Sequence, residues 1–166
     1  ATLTLSGSNT FTGATNVNSG TLQAGAVNVI AGSSALTLAN SSGATFDLNN
    51  FDQSVSALVG GGITGGNVNL GTATLRINQN VPNTYAGIIS GAGDLVVEGS
   101  ATLNLTGANT YSGTTLINAG TLQAGAVNVI PSASALVLAN TAGATFDLND
   151  FDQEIGSLAG GGSTGG

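Results

Sequence analysis

The amino-acid sequence predicts an all-β fold, a parallel β-solenoid in which short strands stack along one axis. Three observations support this prediction: short segments alternate apolar and polar residues, glycine-rich turns separate them, and the chain repeats itself at an interval of 100 residues. The ten letters TLQAGAVNVI at 21–30 return unchanged at 121–130. A repeat that cannot bury its own apolar row buries it against its neighbour, and this stacking defines a solenoid.

The predicted strands share an alternation with a period of two residues, which is typical of a half-buried strand. In chain order they read ATLTL (1–5), SALTL (34–38), ATFDL (44–48), NVNL (67–70), ATLRI (73–77) and ATLNL (101–105). Turn-forming residues separate them, as in SGSN (6–9), NSG (18–20), GGGITGG (60–66) and SGAG (90–93). A β-sandwich also has many short strands, but it does not explain a regular repeat.

The long repeat indicates the domain organisation. Residues 1–66 align with 101–166 without gaps and match at 44 of 66 positions. We therefore expect one continuous solenoid over 1–166, with a first repeat unit at 1–100 and a partial second unit at 101–166.

Apolar strand centres predict the length of one coil. Their spacing is close to 25 residues, so we expect about four coils per unit and an axial advance of about 19 Å, at ~4.8 Å per coil. On this basis each unit presents the same faces along the axis. The expected core ladder consists of Leu22, Phe46, Leu70, Leu95, Leu122 and Phe146.

Composition excludes several classes of function. The net charge is −7 with a single cation, Arg76, which argues against binding of nucleic acid or of an anionic membrane surface. No apolar run approaches the roughly 20 residues that span a bilayer. The chain has no His, Cys or Lys to activate a nucleophile, so we predict no catalytic residues and no enzyme activity.

Acidic residues recur at equivalent positions of the two units. We interpret them as a solvated face and predict no cofactor, but their oxygen atoms leave Ca²⁺ open as an alternative. The calcium candidates are Asp47, Asn49, Asp52, Asp147, Asn149, Asp150 and Asp152. Neither an EF-hand loop nor the glycine-rich calcium nonapeptide is present.

Two longer segments carry a resemblance to a known family. GSATLNLTGANTYSGTTLINAGTLQAG at 99–125 resembles the passenger-associated repeat of bacterial autotransporters, and residues 1–25 follow the same pattern. LNDFDQEIGSLAGGG at 148–162, like LNNFDQSVSALVGGG at 48–62, resembles the β-strand element that accompanies this repeat. The resemblance implies a right-handed parallel β-helix that is exported to the surface of a Gram-negative bacterium.

The expected function is that of an extracellular β-helical stalk or fibre that supports adhesion or cell-surface scaffolding. One alternative is a module that binds glycans or surfaces along one face. A polysaccharide-processing β-helix enzyme is a second alternative, but a single Arg cannot supply the basic partners of its acids. The expected partner is the protein itself, through end-to-end stacking or as part of a longer repeat chain. The sequence names no receptor.

Overall fold

The computed structural model describes residues 1–165 and contains 18 short β-strands and, within that range, no helix. Accordingly, none of these residues forms a helix long and apolar enough to cross a membrane. The strands are β1 (Thr2–Leu5), β2 (Thr15–Val17), β3 (Thr21–Ala24), β4 (Ala35–Leu38), β5 (Thr45–Asp47), β6 (Gln53–Val55), β7 (Ala57–Gly60), β8 (Asn67–Asn69), β9 (Leu75–Asn78), β10 (Asn83–Tyr85), β11 (Ile89–Ser90), β12 (Leu95–Glu98), β13 (Thr102–Leu105), β14 (Thr115–Ile117), β15 (Thr121–Ala124), β16 (Ala135–Leu138), β17 (Thr145–Asp147) and β18 (Ser157–Gly160).

The strands form three sheets in which every paired strand runs parallel to its neighbours. Sheet 1 has the order β1-β3-β5-β8-β11, sheet 2 the order β2-β4-β7-β10-β13-β15-β17, and sheet 3 the order β6-β9-β12-β14-β16-β18. From β5 to β13 the chain visits sheets 1, 3 and 2 in turn, and from β13 to β18 its strands alternate between sheets 2 and 3. This is a parallel β-solenoid of about eight coils, as the alternation and the repeat predict.

The coil is shorter than the predicted 25 residues. Residues that pair between neighbouring coils are separated by as few as 19 positions, as in Thr2 and Thr21, and by as many as 25, as in Gly60 and Tyr85. The usual spacing is about 21 residues. Turns of different length between the strands account for this variation, because they lie outside the sheets and can lengthen without disturbing the register.

All six predicted ladder residues lie in or against the core, but they form more than one stack. Leu22 pairs with Phe46, and Leu122 pairs with Phe146, as predicted. The next partner of Phe46 is Val68 rather than Leu70, which is nevertheless fully buried. Leu95 belongs to sheet 3, where it lies between Leu75 and Thr115. The prediction of one continuous ladder is therefore wrong, because the three sheets each contribute their own stacks.

One glycine explains how a corner of the coil is made. Gly60 ends β7 with a φ angle of 90°, a left-handed value that side chains disfavour. A Cβ atom at this position would lie 2.2 Å from the carbonyl oxygen of Leu38 in the preceding coil. Gly160 repeats this arrangement, with a φ angle of 95°. Both the turn and the close approach of neighbouring coils therefore require glycine here.

The two repeat units do not lie on the same faces of the solenoid. β1 belongs to sheet 1, whereas β13, its equivalent 100 residues later, belongs to sheet 2. Likewise, β4 belongs to sheet 2 and β16 to sheet 3. The chain makes four complete coils between β1 and β11, both in sheet 1. It then passes through sheet 3 (β12) to sheet 2 (β13), which is a further two-thirds of a coil. A unit therefore occupies four and two-thirds coils rather than four, and its equivalent surfaces are a third of a turn apart.

Candidate functional site: side-chain amide bridges between coils

Buried side-chain amides continue the hydrogen bonding of sheet 1 beyond its last strand, β11. Asn109 lies in the next coil after β11 and is 6% exposed. Its Oδ1 accepts a hydrogen bond of 2.8 Å from the backbone N–H of Ile89, and its Nδ2 donates one of 2.8 Å to the carbonyl oxygen of Val129. The side-chain amide thus takes the place of a peptide group between two coils.

A glutamine extends the same line to the following coil. The backbone N–H of Val129 donates to Oε1 of Gln153 at 2.8 Å, and Nε2 of Gln153 donates to the carbonyl oxygen of Ala126 at 2.8 Å. Together, Asn109 and Gln153 connect four successive coils, of which only the first forms a strand here, with Ile89 in β11. We call this arrangement, Asn109–Val129–Gln153, the second amide bridge.

The first unit contains the equivalent arrangement, Asn9–Val29–Gln53, which we call the first amide bridge. Asn9 donates from Nδ2 to the carbonyl oxygen of Val29 at 2.8 Å, and the N–H of Val29 donates to Oε1 of Gln53 at 3.0 Å. Gln53 is 1% exposed, and its Nε2 donates to the carbonyl oxygens of Ala26 and Phe51. Sheet 3 begins at Gln53, so this bridge precedes a sheet, whereas the second follows one.

The sequence analysis missed these residues because an isolated polar residue in a turn-rich segment is normally assigned to the surface. The available signal was the retention of Asn9, Gln53 and the whole of 21–30 in both units, although 22 of the 66 aligned positions differ. Buried backbone groups need partners, and a coil that forms no strand must obtain them from side chains. This requirement explains why Asn9 and Gln53 are retained in both units.

The two calcium candidates on the strands, Asp47 and Asp147, accept hydrogen bonds from other groups of the protein. Asp47 is half-buried at the end of β5, where Oδ2 accepts a hydrogen bond of 2.9 Å from Nε2 of Gln23. Its Oδ1 accepts from the N–H of Asn49 at 3.0 Å and from Nδ2 of Asn69 at 3.2 Å. Asp147 repeats the first two contacts with Gln123 and Asn149. These carboxylates therefore connect neighbouring coils on the outer face.

The remaining calcium candidates lie in the turn that follows. Asn49 and Asn149 donate from Nδ2 to Ala24 and Ala124 at 3.1 Å, and both have left-handed backbone angles, as does Asp150. Asn and Asp tolerate this conformation better than other residues with a side chain. Oδ1 of Asp52 accepts from the N–H of Thr74 at 2.8 Å. The carbonyl oxygen of Asp152 accepts from the N–H of Asn128.

No three acidic side chains come together. Across residues 1–165 the structure contains no group of three or more His, Cys, Asp or Glu residues placed to hold a metal ion. The seven candidates divide instead between two units on different faces, and the carboxylates of Asp47, Asp52 and Asp147 accept hydrogen bonds from turns and neighbouring coils. The arrangement thus favours a structural use of these residues.

Two tyrosines are the titratable groups that the fold perturbs most strongly. Tyr85 is fully buried and donates from its hydroxyl to the carbonyl oxygen of Gly66 at 2.7 Å. The hydroxyl groups of Tyr111 and Thr115 share a hydrogen bond of 2.6 Å. Burial raises the pKa of Tyr85 far above its ordinary value and that of Tyr111 to about 12, the latter against an opposing effect of the Thr115 and Ser134 hydroxyls.

The comparison with known families agrees with this repeated construction. The sequence profile of the family described as Passenger-associated-transport-repeat matches residues 1–24 and 95–124. A relative named "Adhesin BmaC autotransporter", from Brucella suis biovar 1 (strain 1330), is 48% identical over 125 residues. The chain is an autotransporter passenger segment with passenger-associated repeats. The aligned part covers 74% of this chain and 4% of that relative, and no solved structure matches significantly.

The residue ranges of this passenger segment that match the repeat family contain some of the residues of the amide bridges. Asn9 and Asn109 fall inside the two matched ranges, whereas Gln53 and Gln153 lie outside them. The family pattern therefore contains one half of each bridge. The other half is supplied by the accompanying element FDQ, at 51–53 and 151–153.

Proposed function

We propose that this segment is part of a rigid, non-enzymatic β-helical stalk that supports adhesion at the bacterial cell surface. The observation that carries the proposal is the unbroken inter-coil bonding. Sheets 2 and 3 continue from the first unit into the second, and amide bridges provide the bonding where sheet 1 ends and before sheet 3 begins. Such continuity suits a load-bearing rod, since each coil contacts only its neighbours and every junction must carry the load.

The relative supports the adhesive part of the proposal through its name, which describes an autotransporter adhesin. It also supports an extracellular or surface location, because an autotransporter passenger is the exported part. The composition supports the stalk, since only 5% of residues are charged. Like charges repeated along neighbouring coils would repel one another, whereas Thr, Asn and Gln can bond along the axis.

Single-molecule force spectroscopy of the segment between two handles tests the stalk function. We expect stepwise unfolding at high force, with extensions that correspond to groups of coils of about 21 residues. Unfolding at very low force, or with no resistance in the coils, would contradict a load-bearing role. Adhesion is tested separately, by comparing bacterial attachment to host surfaces with and without the segment in its parent protein.

A further inference from the structure

A groove on the surface lies beside the second amide bridge. It has a volume of about 330 Å³, and its floor is formed by the buried Asn109 and Tyr111. Thr110, Pro131, Ser132 and Glu154 contribute to its walls, and all of these except Pro131 are exposed. The lining thus offers hydroxyl groups, a proline ring and one carboxylate.

The two units diverge at this groove. Between them 22 of 66 aligned positions differ, yet five of the eight lining residues differ from their first-unit equivalents. The replacements are Phe11 to Tyr111, Ala31 to Pro131, Gly32 to Ser132, Ser33 to Ala133 and Ser54 to Glu154. The bridge beneath is unchanged in the same comparison. An invariant support under a variable lining is typical of a binding surface on a rigid scaffold.

Backbone hydrogen bonds fix the position of Glu154, the charged residue of the groove wall. The N–H of Glu154 donates to Oδ1 of Asn128 at 2.8 Å, and the N–H of Asn128 donates to the carbonyl oxygen of Asp152 at 3.1 Å. Gln153, between these two acids, is fixed by the second amide bridge. The carboxylate of Glu154 therefore extends from a backbone that is bonded on both sides.

We propose that this groove binds a cationic side chain, lysine or arginine, of a partner protein. Charge complementarity selects this occupant, because Glu154 is the charged residue of the lining and the whole chain carries a net charge of −7. That net charge attracts cationic partners over longer distances. Hydroxyl groups of Thr110 and Ser132 can accept further hydrogen bonds from an ammonium or guanidinium group. The inference goes beyond the stalk function, since a rod without this ligand is still a stalk.

The test is a titration of the ¹⁵N-labelled segment with a capped pentalysine peptide at low salt, followed by NMR. We expect saturable shifts concentrated at 110, 128, 132 and 154. Glu154→Ser places the first-unit residue in the groove, so the fold accommodates it, and it should weaken binding by about two- to five-fold, as for a single exposed ion pair. Glu98→Gln removes the same charge elsewhere and should leave the affinity unchanged.

Three results would overturn the proposal. One is the absence of saturable binding at millimolar peptide. Another is an equal loss of affinity for Glu154→Ser and Glu98→Gln, which would show that the peptide senses net charge alone. The third is a set of shifts that follows all acidic residues rather than the groove. None of these results affects the force measurement on the stalk.

Discussion

Replacing Gln53 by leucine tests the contribution of the amide bridges to stability. Leucine keeps a similar volume but cannot accept the hydrogen bond from Val29 N–H at 3.0 Å or donate to the Ala26 carbonyl oxygen at 2.8 Å. The N–H of Val29 and the carbonyl oxygen of Ala26 then lack their inter-coil partner, at a position where the native side chain is 1% exposed. The carbonyl oxygen of Phe51, in the turn before Gln53, also loses a hydrogen bond of 3.1 Å. The substitution converts an inter-coil connection into an apolar contact without changing the strands.

The expected cost follows from the number of groups left unsatisfied. Each buried polar group that loses its partner costs about 1–3 kcal/mol, so the two inter-coil groups give about 2–6 kcal/mol. The additional apolar surface of leucine offsets a part of this, roughly 1–2 kcal/mol. We therefore expect Gln53→Leu to lower the free energy of unfolding by about 1–4 kcal/mol.

Urea denaturation followed by far-ultraviolet circular dichroism measures this difference. Gln153→Leu is the matched control, because Gln153 makes the equivalent contacts but is only half-buried, so water can replace the lost partners at a smaller cost. Gln53→Glu keeps the acceptor for Val29 but loses the donor at neutral pH, and its stability should recover on acidification. A cost for Gln53→Leu below about 0.5 kcal/mol, the range of ordinary surface substitutions, would refute the reasoning.

Three further predictions follow from the core, the tyrosines and the acids. Phe46→Ala should cost about 3–5 kcal/mol in urea denaturation and Phe146→Ala clearly less, because only Phe46 is fully buried, and equal costs would contradict the proposed stacks. The folded-state pKa of Tyr111 is raised from 10 to about 12, so the stability it contributes is fully present below pH 10 and is lost between pH 10 and 12, by about 3 kcal/mol. Tyr111→Phe introduces the residue that the first unit has at this position, Phe11, and should reduce the loss of stability at alkaline pH. The part of this loss that comes from Tyr85 should remain. An unchanged dependence of stability on pH would argue against the effect of burial on Tyr111. Saturating Ca²⁺ should leave the melting temperature unchanged, and a rise of several degrees would show that the aspartates bind the ion in the folded state.

The fold class could be predicted from the sequence, but the coil length could not. Alternation identifies strands because inward and outward side chains occupy chemically different environments. It does not identify which strands are neighbours, so the similar spacing of Phe46 and Leu70 suggested a stack, whereas Phe46 pairs with Val68. Register depends on turn lengths, and these turns lie where hydrophobic patterning gives no information.

The site was less accessible to prediction than the fold. Aspartates were singled out because their chemistry is conspicuous, yet Asp47 holds amide donors of the neighbouring coils. Asp47→Asn should therefore destabilise the protein, since asparagine has one acceptor oxygen for three donors. Buried amides such as Asn109 look like ordinary turn residues in the sequence. Only the register between coils reveals that they replace peptide groups.

The offset of a third of a turn between units determines how a multivalent ligand meets the rod. With four and two-thirds coils per unit, equivalent patches advance by about 22 Å along the axis and return to the same side only after three units, fourteen coils or about 67 Å. A ligand on a flat surface therefore engages every third unit of a longer array. Its linkers must span about 67 Å before the effective concentration of a second contact becomes useful. In an array of three or more units, each side of the rod would carry a copy of every patch that the units share, so orientation about the long axis would not limit first contact.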